Sequence, residues 1–310
     1  MASSIPRVGV VTVTYNSAGV LDDFLDSMAS QEGIELHLYA IDNASSDDSI
    51  ARLRSEKRIE GLEIVVNDVN VGVASGNNLG IERALQDDCD WILLLNNDTL
   101  CTPSTIRNLV DEAEANRLDL VSPIIEATDP AATIWYSGGH FRPNQGFRTF
   151  HDNLGASTRM FPDERFPTGY ASTCALLVRP KVFVNVGLMD PVYFVYFDDV
   201  DFAVRCVNAG YQYWVSPAGL VTHKASSITG GKSSPFTIKW YSRNWPLIAR
   251  RHLPPLEALL ALGFIQAWTF ARVMTRRDSL STFIRRQRSF VDGVTAAKAA
   301  PAPYPQRAPQ

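Results

Sequence analysis

A repeated pattern in the first part of the chain constrains the fold more than any other feature. Short apolar runs rich in branched residues predict strands over residues 8–14, 36–41, 62–66 and 91–95. The amphipathic segments between and after them predict helices over residues 18–30, 48–56, 74–86 and 104–116. This alternation predicts an α/β fold in which helices cover both faces of a mostly parallel sheet.

The rest of the chain is less regular. Residues 135–166 are rich in Gly, Pro and aromatic residues, which predicts irregular strands and loops. Further predicted elements are a strand at residues 171–178 and helices at residues 198–208, 235–252 and 256–274. From residue 296 the chain is rich in Ala, Pro and Gln, which predicts a disordered tail.

Composition and charge exclude some classes of protein. Charged residues make up 20% of the 310 residues and the net charge is −4, so the chain lacks the basic excess of a nucleic-acid-binding protein. Cys89, Cys101, Cys174 and Cys206 form no CxxC pair, which favours reduced thiols over a zinc site or a disulfide framework. Residues 1–7 lack the apolar stretch of a signal peptide, so we expect a cytoplasmic protein.

Amide and carboxylate side chains follow each of the first four predicted strands. The endings are Thr14-Tyr15-Asn16, Asp42-Asn43, Asn67-Asp68-Val69-Asn70 and Asn96-Asn97-Asp98. In an open parallel sheet, ligands bind at the carboxyl ends of the strands. Any one ending has the alternative role of a helix cap. Four converging endings favour a shared polar site.

Asp98 is a candidate metal ligand because it follows a run that predicts a buried strand, where an unpaired carboxylate is costly. With Asn96 two residues earlier it has the spacing of an Asp-x-Asp site, whose oxygen ligands bind a divalent ion. His223 follows another apolar stretch and is a further candidate ligand. The alternatives are a helix N-cap for Asp98 and a structural role for His223.

Three acids open the predicted helix at residues 198–208. The helix dipole favours ionised carboxylates at Asp198, Asp199 and Asp201, and a general base must be ionised. Asp201 and Arg205 have the i, i+4 spacing of a structural ion pair, so Asp199 is the better candidate base. The alternative is a set of solvated acids at the helix start.

Two glycine-containing segments have other interpretations. Gly72, Gly76 and Gly80 recur every four residues, which predicts a small-residue helix face that packs closely on a backbone or on a ligand. Residues 230–233 resemble a phosphate-binding loop, but Ser226 stands where that motif requires Gly and no strand-to-helix context surrounds it. We therefore predict a mobile loop there.

The ordered set of motifs resembles the family 2 glycosyltransferases of the GT-A fold, in particular the rhamnosyltransferase-like branch that builds bacterial surface polysaccharides. The matching stretches are residues 11–16, 41–47, 70–72, 76–80, 95–99 and 197–201, and Arg243-Asn244 resembles a further short motif of this branch.

The resemblance implies a domain organisation. Residues 1–252 would form the GT-A catalytic domain, with a nucleotide-sugar half to about residue 125 and an acceptor half over residues 126–252. Residues 253–292 would form a helical extension and residues 293–310 a disordered tail.

The resemblance also implies an activity and its residues. The enzyme would transfer a sugar from a dTDP- or UDP-sugar to a hydroxyl of a glycan or lipid-linked glycan, with inversion. The resemblance favours rhamnose from dTDP-rhamnose. Asp199 would be the base, and Asp98 and His223 would bind Mg²⁺ or Mn²⁺. Donor binding is implied for Thr14, Tyr15, Asn16, Asp42, Asn70, Gly76, Asn77 and Asn97, with Asp42 at the pyrimidine base. Acceptor binding is implied for Asp198, Thr173 and Cys174.

The chain departs from the family pattern at three places. Asn96-Asn97-Asp98 contains one acid where many relatives have two or three, which weakens the expected metal affinity. Asp198-Asp199 replaces the usual Glu-Asp, and residues 172–175 replace a Gly-Ala pair expected beside the acceptor. These differences leave the acceptor open.

Two other functions also fit a nucleotide site at strand ends. A nucleotidyltransferase normally needs a basic, glycine-rich loop after the first strand, and residues 14–19 contain no Lys or Arg. A binding module without catalysis would not require the candidate residues Asp98, Asp199 and His223 together.

The predicted helix after residue 252 suggests contact with a membrane. Residues 256–270 are strongly apolar but contain Glu257 and Gln266, and they are shorter than the roughly 20 residues of a spanning helix. The arginines that follow are Arg272, Arg276, Arg277, Arg285, Arg286 and Arg288. We expect the helix to lie on the inner face of the cell membrane, where arginines attract anionic lipid. A packed helix or a homodimer contact is the alternative.

Overall fold

The four predicted strands of the first half lie side by side and parallel in the computed structural model, which describes residues 5–224 and 233–299. Their bounds are β1 (Arg7–Thr14), β2 (Glu35–Asp42), β3 (Gly61–Val66) and β4 (Trp91–Leu95). They pair in the order β4-β1-β2-β3, with Thr14 in register with Asp42. Because parallel strands end at the same edge, the polar endings are brought to one side of the sheet.

The second half of the chain extends the sheet beyond β4. The additional strands of this sheet are β5 (Thr99–Cys101), β6 (Leu120–Ala127), β7 (Thr133–Tyr136), β10 (Phe166–Thr168), β11 (Ala175–Val178) and β12 (Tyr213–His223). Two further strands, β8 (Gly139–Arg142) and β9 (Arg148–His151), form a separate antiparallel pair. β11 runs antiparallel between β4 and β6, and β12 runs parallel to β6. The patterns did not predict β6 and β12, because Pro123 and Pro217 interrupt their apolar alternation.

The helices of the first half match the predicted segments to within two residues. Their bounds are α1 (Ala18–Ala29), α2 (Ser49–Ser55), α3 (Gly72–Gln86) and α4 (Thr105–Asn116). Asp47 accepts hydrogen bonds from the N–H groups of Ala18 and Ser49, both at 3.0 Å. One carboxylate therefore satisfies the first N–H group of both α1 and α2.

The small-residue face of α3 packs on β1. A Cβ atom at Gly76 would lie 2.8 Å from a Val13 methyl group, and one at Gly80 would overlap Val11. These two glycines therefore let α3 approach the sheet closely.

Five α-helices follow among the described residues of the second half of the chain. Their bounds are α5 (Pro180–Val186), α6 (Asp198–Asn208), α7 (Pro235–His252), α8 (Pro255–Met274) and α9 (Leu280–Ala299). α7 packs against both α8 and α9. Asp278 joins the last two helices by accepting hydrogen bonds from Arg272 and Arg286 at 2.8 Å.

The boundary predicted for the disordered tail is wrong. α9 continues to Ala299, and the buried Gly293 lies against the Arg243 carbonyl of α7. The prediction failed because the composition of residues 293–299 does not show that a glycine permits this close helix crossing. Residues 300–310 and residues 230–232 of the predicted mobile loop lie outside the described residues.

Gly293→Ala should destabilise the protein. The added methyl group would overlap the Arg243 carbonyl oxygen, so α9 must move away from α7. Overpacking of this kind typically costs about 1–3 kcal/mol. The matched control is Gly263→Ala on α8, where a Cβ meets nothing within 4 Å and helix propensity should add up to about 1 kcal/mol of stability. Denaturant unfolding measures both, and equal effects would contradict the close crossing.

Candidate active site

The ends of β1 and β2 are joined by a buried hydrogen-bond cluster around Asp42. Its carboxylate accepts from the Thr14 hydroxyl at 2.9 Å and from the Ser45 N–H and hydroxyl at 2.8 and 2.6 Å. Asp42 and Thr14 are fully buried. Asp42 thus shapes the two loops from within, and its predicted contact with a pyrimidine base stays a prediction.

Tyr15 and Asn16 lie at the surface of this edge. Tyr15 is 42% exposed, which leaves an aromatic ring available at the ends of the strands. Asn16 adopts a left-handed backbone conformation with φ of 50°, and its side-chain oxygen accepts from the Ser46 N–H at 2.8 Å. Asn tolerates this conformation better than most residues, so the turn that presents Tyr15 is locally encoded.

Three predicted donor-binding residues are instead occupied with packing in this structure. Gly76 lies against Val13, as described above. Asn77 is buried, with its amide nitrogen 3.5 Å from the Met189 sulfur. Asn97 is buried and donates to the Val13 carbonyl and the Ser17 hydroxyl at 2.9 and 3.0 Å. These contacts give the three residues packing roles, and their predicted donor contacts stay predictions.

Asn70 remains near the surface at the start of α3. Its side-chain oxygen accepts from the Gly72 N–H at 3.0 Å, and the residue is half-buried. Farther along α3, Asn78 donates a hydrogen bond to the Met189 carbonyl at 2.8 Å and accepts one from the Met189 N–H at 2.9 Å. α3 is thereby fixed to the segment that leads into α6.

Asp98 and His223 come together although 125 positions separate them. The Asp98 Oδ1 and His223 Nε2 atoms are 3.2 Å apart, and both side chains are buried. β5 begins directly after Asp98 and pairs with the end of β12, with Thr99 in register with His223, which explains the contact. The alternative of a helix N-cap for Asp98 is therefore wrong.

The surroundings of His223 also favour a proton on the imidazole. Burial alone lowers its pKa, but Cys174 and Asp98 outweigh burial and raise the pKa to about 10. The Trp135 ring packs edge-on at 4.5 Å between ring centroids. A cation bound to Nε2 and to Asp98 would take the place of that proton.

A divalent ion fits this pair of residues. One carboxylate oxygen and one imidazole nitrogen form a mixed donor set, which suits Mn²⁺ better than Mg²⁺. Among residues 5–224 and 233–299, no cluster of three or more His, Cys, Asp or Glu side chains could hold a metal. The remaining ligands of such an ion would therefore be water and substrate phosphate, as is common for these ions.

Cys174 is buried beside His223, and only 2% of it is exposed. Burial raises the pKa of its thiol, His223 lowers it, and the charges of Asp98 and Asp199 raise it. The predicted contact of Cys174 with the acceptor stays a prediction. Thr173 is half-buried, and its contact with the acceptor stays a prediction.

Asp198 and Asp199 differ in burial and in the groups that contact their carboxyl groups. Asp198 is buried, and this burial together with the neighbouring Asp199 charge raises its pKa well above the usual range. Burial also raises the pKa of Asp199, but hydrogen bonds from the Tyr170 hydroxyl and the Val200 N–H favour its ionised form. Asp199 is half-buried. The pair therefore carries its negative charge on the more accessible residue.

Asp201 is part of a structural ion network, as its spacing predicts. Its carboxylate accepts from Arg205 Nε at 2.8 Å and contacts His252 Nε2 at 2.6 Å. Arg205 also donates to the Val186 and Leu188 carbonyls at 3.1 and 2.9 Å. Asp201 and Arg205 are buried, so this network fixes α6 to α7 and to the end of α5.

The turn before α6 has an unusual backbone. Phe194, Tyr196 and Phe197 have φ angles of 62°, 64° and 65°, and each such non-glycine residue is strained. The Asn244 amide on α7 lies 2.6, 2.8 and 2.9 Å from the carbonyl oxygens of Tyr193, Val195 and Tyr196. We conclude that Asn244 holds the turn that presents Asp198 and Asp199.

Sequence patterns missed the aromatic residues that link the two candidate centres. Trp135 packs on His223 and lies 4.9 Å from the His151 ring, which stacks at 6.3 Å on Tyr170. Tyr170 in turn donates to Asp199. These rings come from the region predicted as irregular, where no period marks which ones face inward. The only signal in the sequence was the high frequency of aromatic residues in that region.

Comparisons with known proteins show the family of the chain. Residues 9–186 match the model of the family described as Glycosyl transferase family 2. The chain is 26% identical over 308 residues to the N-acetylglucosaminyl-diphospho-decaprenol L-rhamnosyltransferase of Mycobacterium tuberculosis, covering 92% of this chain and 97% of that protein. It is 21% identical over 244 residues to the dTDP-rhamnosyl transferase RfbF of Shigella flexneri, covering 76% and 79%.

Solved structures show the same fold at low sequence identity. The chain superposes on GalNAc-T7 with UDP, GalNAc and Mn²⁺ with a TM-score of 0.61 at 15% identity, covering 78% of this chain and 48% of that longer chain. The mannosyltransferase PcManGT from Pyrobaculum calidifontis, in complex with GDP-Man and Mn²⁺, gives 0.55 at 15% identity, covering 96% and 87%. The fold is GT-A-like. Since the family match spans more than half of its residues, the chain belongs to glycosyl transferase family 2, whose members are glycosyltransferases.

Proposed function

We propose that the enzyme transfers a sugar to a hydroxyl of a lipid-linked glycan, and that the preferred donor is dTDP-rhamnose. The transfer would invert the anomeric configuration and require a divalent metal ion. The observation that carries this proposal is the contact between Asp98 and His223, together with the aromatic side chains that link His223 to Asp199. Two rhamnosyltransferases among the relatives favour this sugar, and the name of one specifies a diphospho-decaprenol acceptor.

The donor would lie across the ends of β1 to β4. The exposed Tyr15 ring offers a stacking surface for a base, and Asp42 fixes the loops around it. Uracil and thymine present the same hydrogen-bonding edge, so these residues fit UDP- and dTDP-sugars alike. Residues 14–19 contain no Lys or Arg, which disfavours a nucleotidyltransferase.

Asp98 and His223 would hold Mn²⁺ or Mg²⁺ together with the donor diphosphate. When bound, the ion would offset the negative charge that develops on the departing nucleoside diphosphate. The two solved neighbours named above contain Mn²⁺, which supports the same choice here.

Asp199 would accept the proton of the acceptor hydroxyl as its oxygen attacks the anomeric carbon. A raised pKa brings a carboxylate closer to the pH at which general bases work best. Tyr170 orients one carboxylate oxygen by a hydrogen bond, and the Val200 N–H contacts the other. Attack from the face opposite the departing diphosphate inverts the anomeric configuration.

Asp199→Asn should abolish transfer while leaving donor affinity nearly unchanged, because an amide cannot accept the proton. General-base catalysis typically contributes about 10²- to 10⁴-fold, so the loss should appear in kcat. Asp198→Asn is the matched control and should be milder, since the raised pKa of Asp198 favours its protonated form, which an amide resembles.

Initial rates and donor binding by calorimetry distinguish the outcomes. An inactive Asp198→Asn beside an active Asp199→Asn would move the base by one residue. Two active variants would contradict base catalysis by this pair.

Removal of divalent ions should stop transfer, and Mn²⁺ should restore it at a lower concentration than Mg²⁺. The reason is that an imidazole ligand such as His223 favours Mn²⁺. His223→Gln should reduce this preference, because an amide oxygen suits both ions. Metal titration of chelator-treated enzyme measures both effects, and full activity after chelation would contradict metal dependence.

We also propose that the enzyme works in the cytoplasm, on the inner face of the cell membrane, through α8. The helix has 20 residues and is apolar and long enough to cross a membrane, but Ala258, Ala261, Ile265 and Thr269 pack inward. Its outward face exposes Leu256, Leu259, Leu260, Gly263, Ala267, Phe270, Ala271 and Met274. A helix docked on one side and apolar on the other fits an interfacial position. Exposed Arg276, Arg277, Arg285 and Arg288 complement anionic lipid.

A Leu259→Gln, Leu260→Gln double variant should lose at least tenfold in binding to anionic phospholipid vesicles. Each leucine is about 65% exposed, and its burial in lipid is worth about 1.5–3 kcal/mol. Val184→Gln, at a 63% exposed site on α5, is the matched control. Vesicle co-sedimentation measures the effect. The proposal would be contradicted if wild-type protein did not bind vesicles but dimerised through this face.

A further inference from the structure

Two arginines face each other directly across the β8–β9 hairpin. Arg142 and Arg148 are paired residues in the antiparallel register, so their side chains emerge on the same face. Their guanidinium groups lie 4.8 and 4.9 Å from the centre of the Phe150 ring. The hairpin thus carries two positive charges around one aromatic ring.

No carboxylate of the described residues lies within 4 Å of either guanidinium group. Two other arginines in the second half of the chain do have an acidic partner. Arg165 pairs with Glu112 at 3.2 Å, and Arg179 pairs with Glu114 at 3.0 Å. Like charges directly opposite each other destabilise a hairpin. No ion pair with the described residues therefore offsets the repulsion between Arg142 and Arg148.

Aromatic contacts connect the arginine pair to the turn that precedes Asp198 and Asp199. Arg148 lies 6.0 Å from the Trp268 ring of α8. Trp268 packs on Trp245, and Trp245 packs on Tyr241, at 5.1 and 5.5 Å between ring centroids. Tyr241 packs at 4.9 Å on Phe197, directly before Asp198.

We propose that Arg142 and Arg148 form an anion subsite that binds the phosphate or diphosphate of the acceptor. This inference rests on the proposed function and specifies its acceptor as a phosphate-linked glycan. Two guanidinium groups present planar, multiple N–H donors that match phosphate oxygens. Phe150 and Trp268 restrict the orientations of the Arg148 side chain, so less freedom is lost on binding.

The location distinguishes this anion from the donor diphosphate. The donor diphosphate is assigned to Asp98 and His223 at the strand ends, whereas the arginine pair lies on the hairpin next to α8. A lipid-linked acceptor would then place its phosphate near the arginines while its chain follows the apolar face of α8. The subsite and the membrane face thus form one acceptor path.

The test compares two soluble acceptors with the same sugar, one linked to a short alkyl diphosphate and one a simple alkyl glycoside. For the Arg142→Ala, Arg148→Ala double variant, the preference for the diphosphate acceptor in kcat/KM should fall about 10- to 100-fold, as expected for lost charge-assisted hydrogen bonds. Arg142→Lys, Arg148→Lys should retain part of the preference. Arg165→Ala, which removes another arginine beside an aromatic ring, is the matched control.

Calorimetry with the sugar-free alkyl diphosphate gives a readout that needs no transferase activity. Binding should be detectable with wild-type protein and lost in the double alanine variant. Absence of binding, or an equal loss for both acceptors, would overturn the subsite. A raised donor KM would assign the arginines to the donor, and lost vesicle binding with an unchanged acceptor preference would assign them to membrane lipid. Failure of wild-type transfer to both acceptors, with binding intact, would reject the proposed function alone.

Discussion

The contact between Asn244 and the turn before α6 is the constraint on which the catalytic geometry depends. Three left-handed aromatic residues occupy this turn, and such a backbone persists only where its surroundings stabilise it. Asn244 holds the turn from α7 through the carbonyls of Tyr193, Val195 and Tyr196. From the other side, the Val73 N–H at the start of α3 donates to the Phe194 carbonyl at 2.5 Å. α3 and α7 therefore jointly hold the turn that presents Asp199.

Three closely spaced acids then acquire three different electrostatic states. Asp198 is buried, no cationic side chain of the described residues pairs with it, and its pKa rises, while the ionised form of Asp199 is stabilised in part by Tyr170. Burial also opposes ionisation of Asp201, but His252 and Arg205 outweigh it and lower the pKa. The environment, and not the residue type, separates a carboxyl group that favours its protonated form, a candidate base and a structural ion.

The first half of the fold could be predicted from the sequence because each element there is encoded by a pattern of neighbouring residues. Each strand and helix there has an uninterrupted period, and the polar residue after each strand marks the sheet edge. Asp98, Asp199 and the Asp201–Arg205 pair could be identified for the same reason, since each stands at the start of an element. β6 and β12 could not, because an internal proline breaks the pattern of each.

The roles of individual amides depend on contacts between distant segments, which spacing does not reveal. Asn77 and Asn97 lie in motifs of the right order, yet one is directed to Met189 and the other to Val13 and Ser17. Tyr170 and Trp135 were missed because irregular strands give their rings no recognisable period. Long-range contacts, more than local conformation, limited the prediction of the site.

The close packing of α9 on α7 gives the domain boundary a practical meaning. A truncation after residue 252 follows the family resemblance and would remove the apolar α8 face, which makes it attractive for preparing a more soluble protein. It would also remove Gly293 and Arg286 from the side of α7 that carries Arg243 and Ser242. Because Asn244 belongs to the same helix turn, the shortened enzyme would keep every candidate catalytic residue and yet lose the support of their geometry. The helical extension is thus part of the catalytic unit.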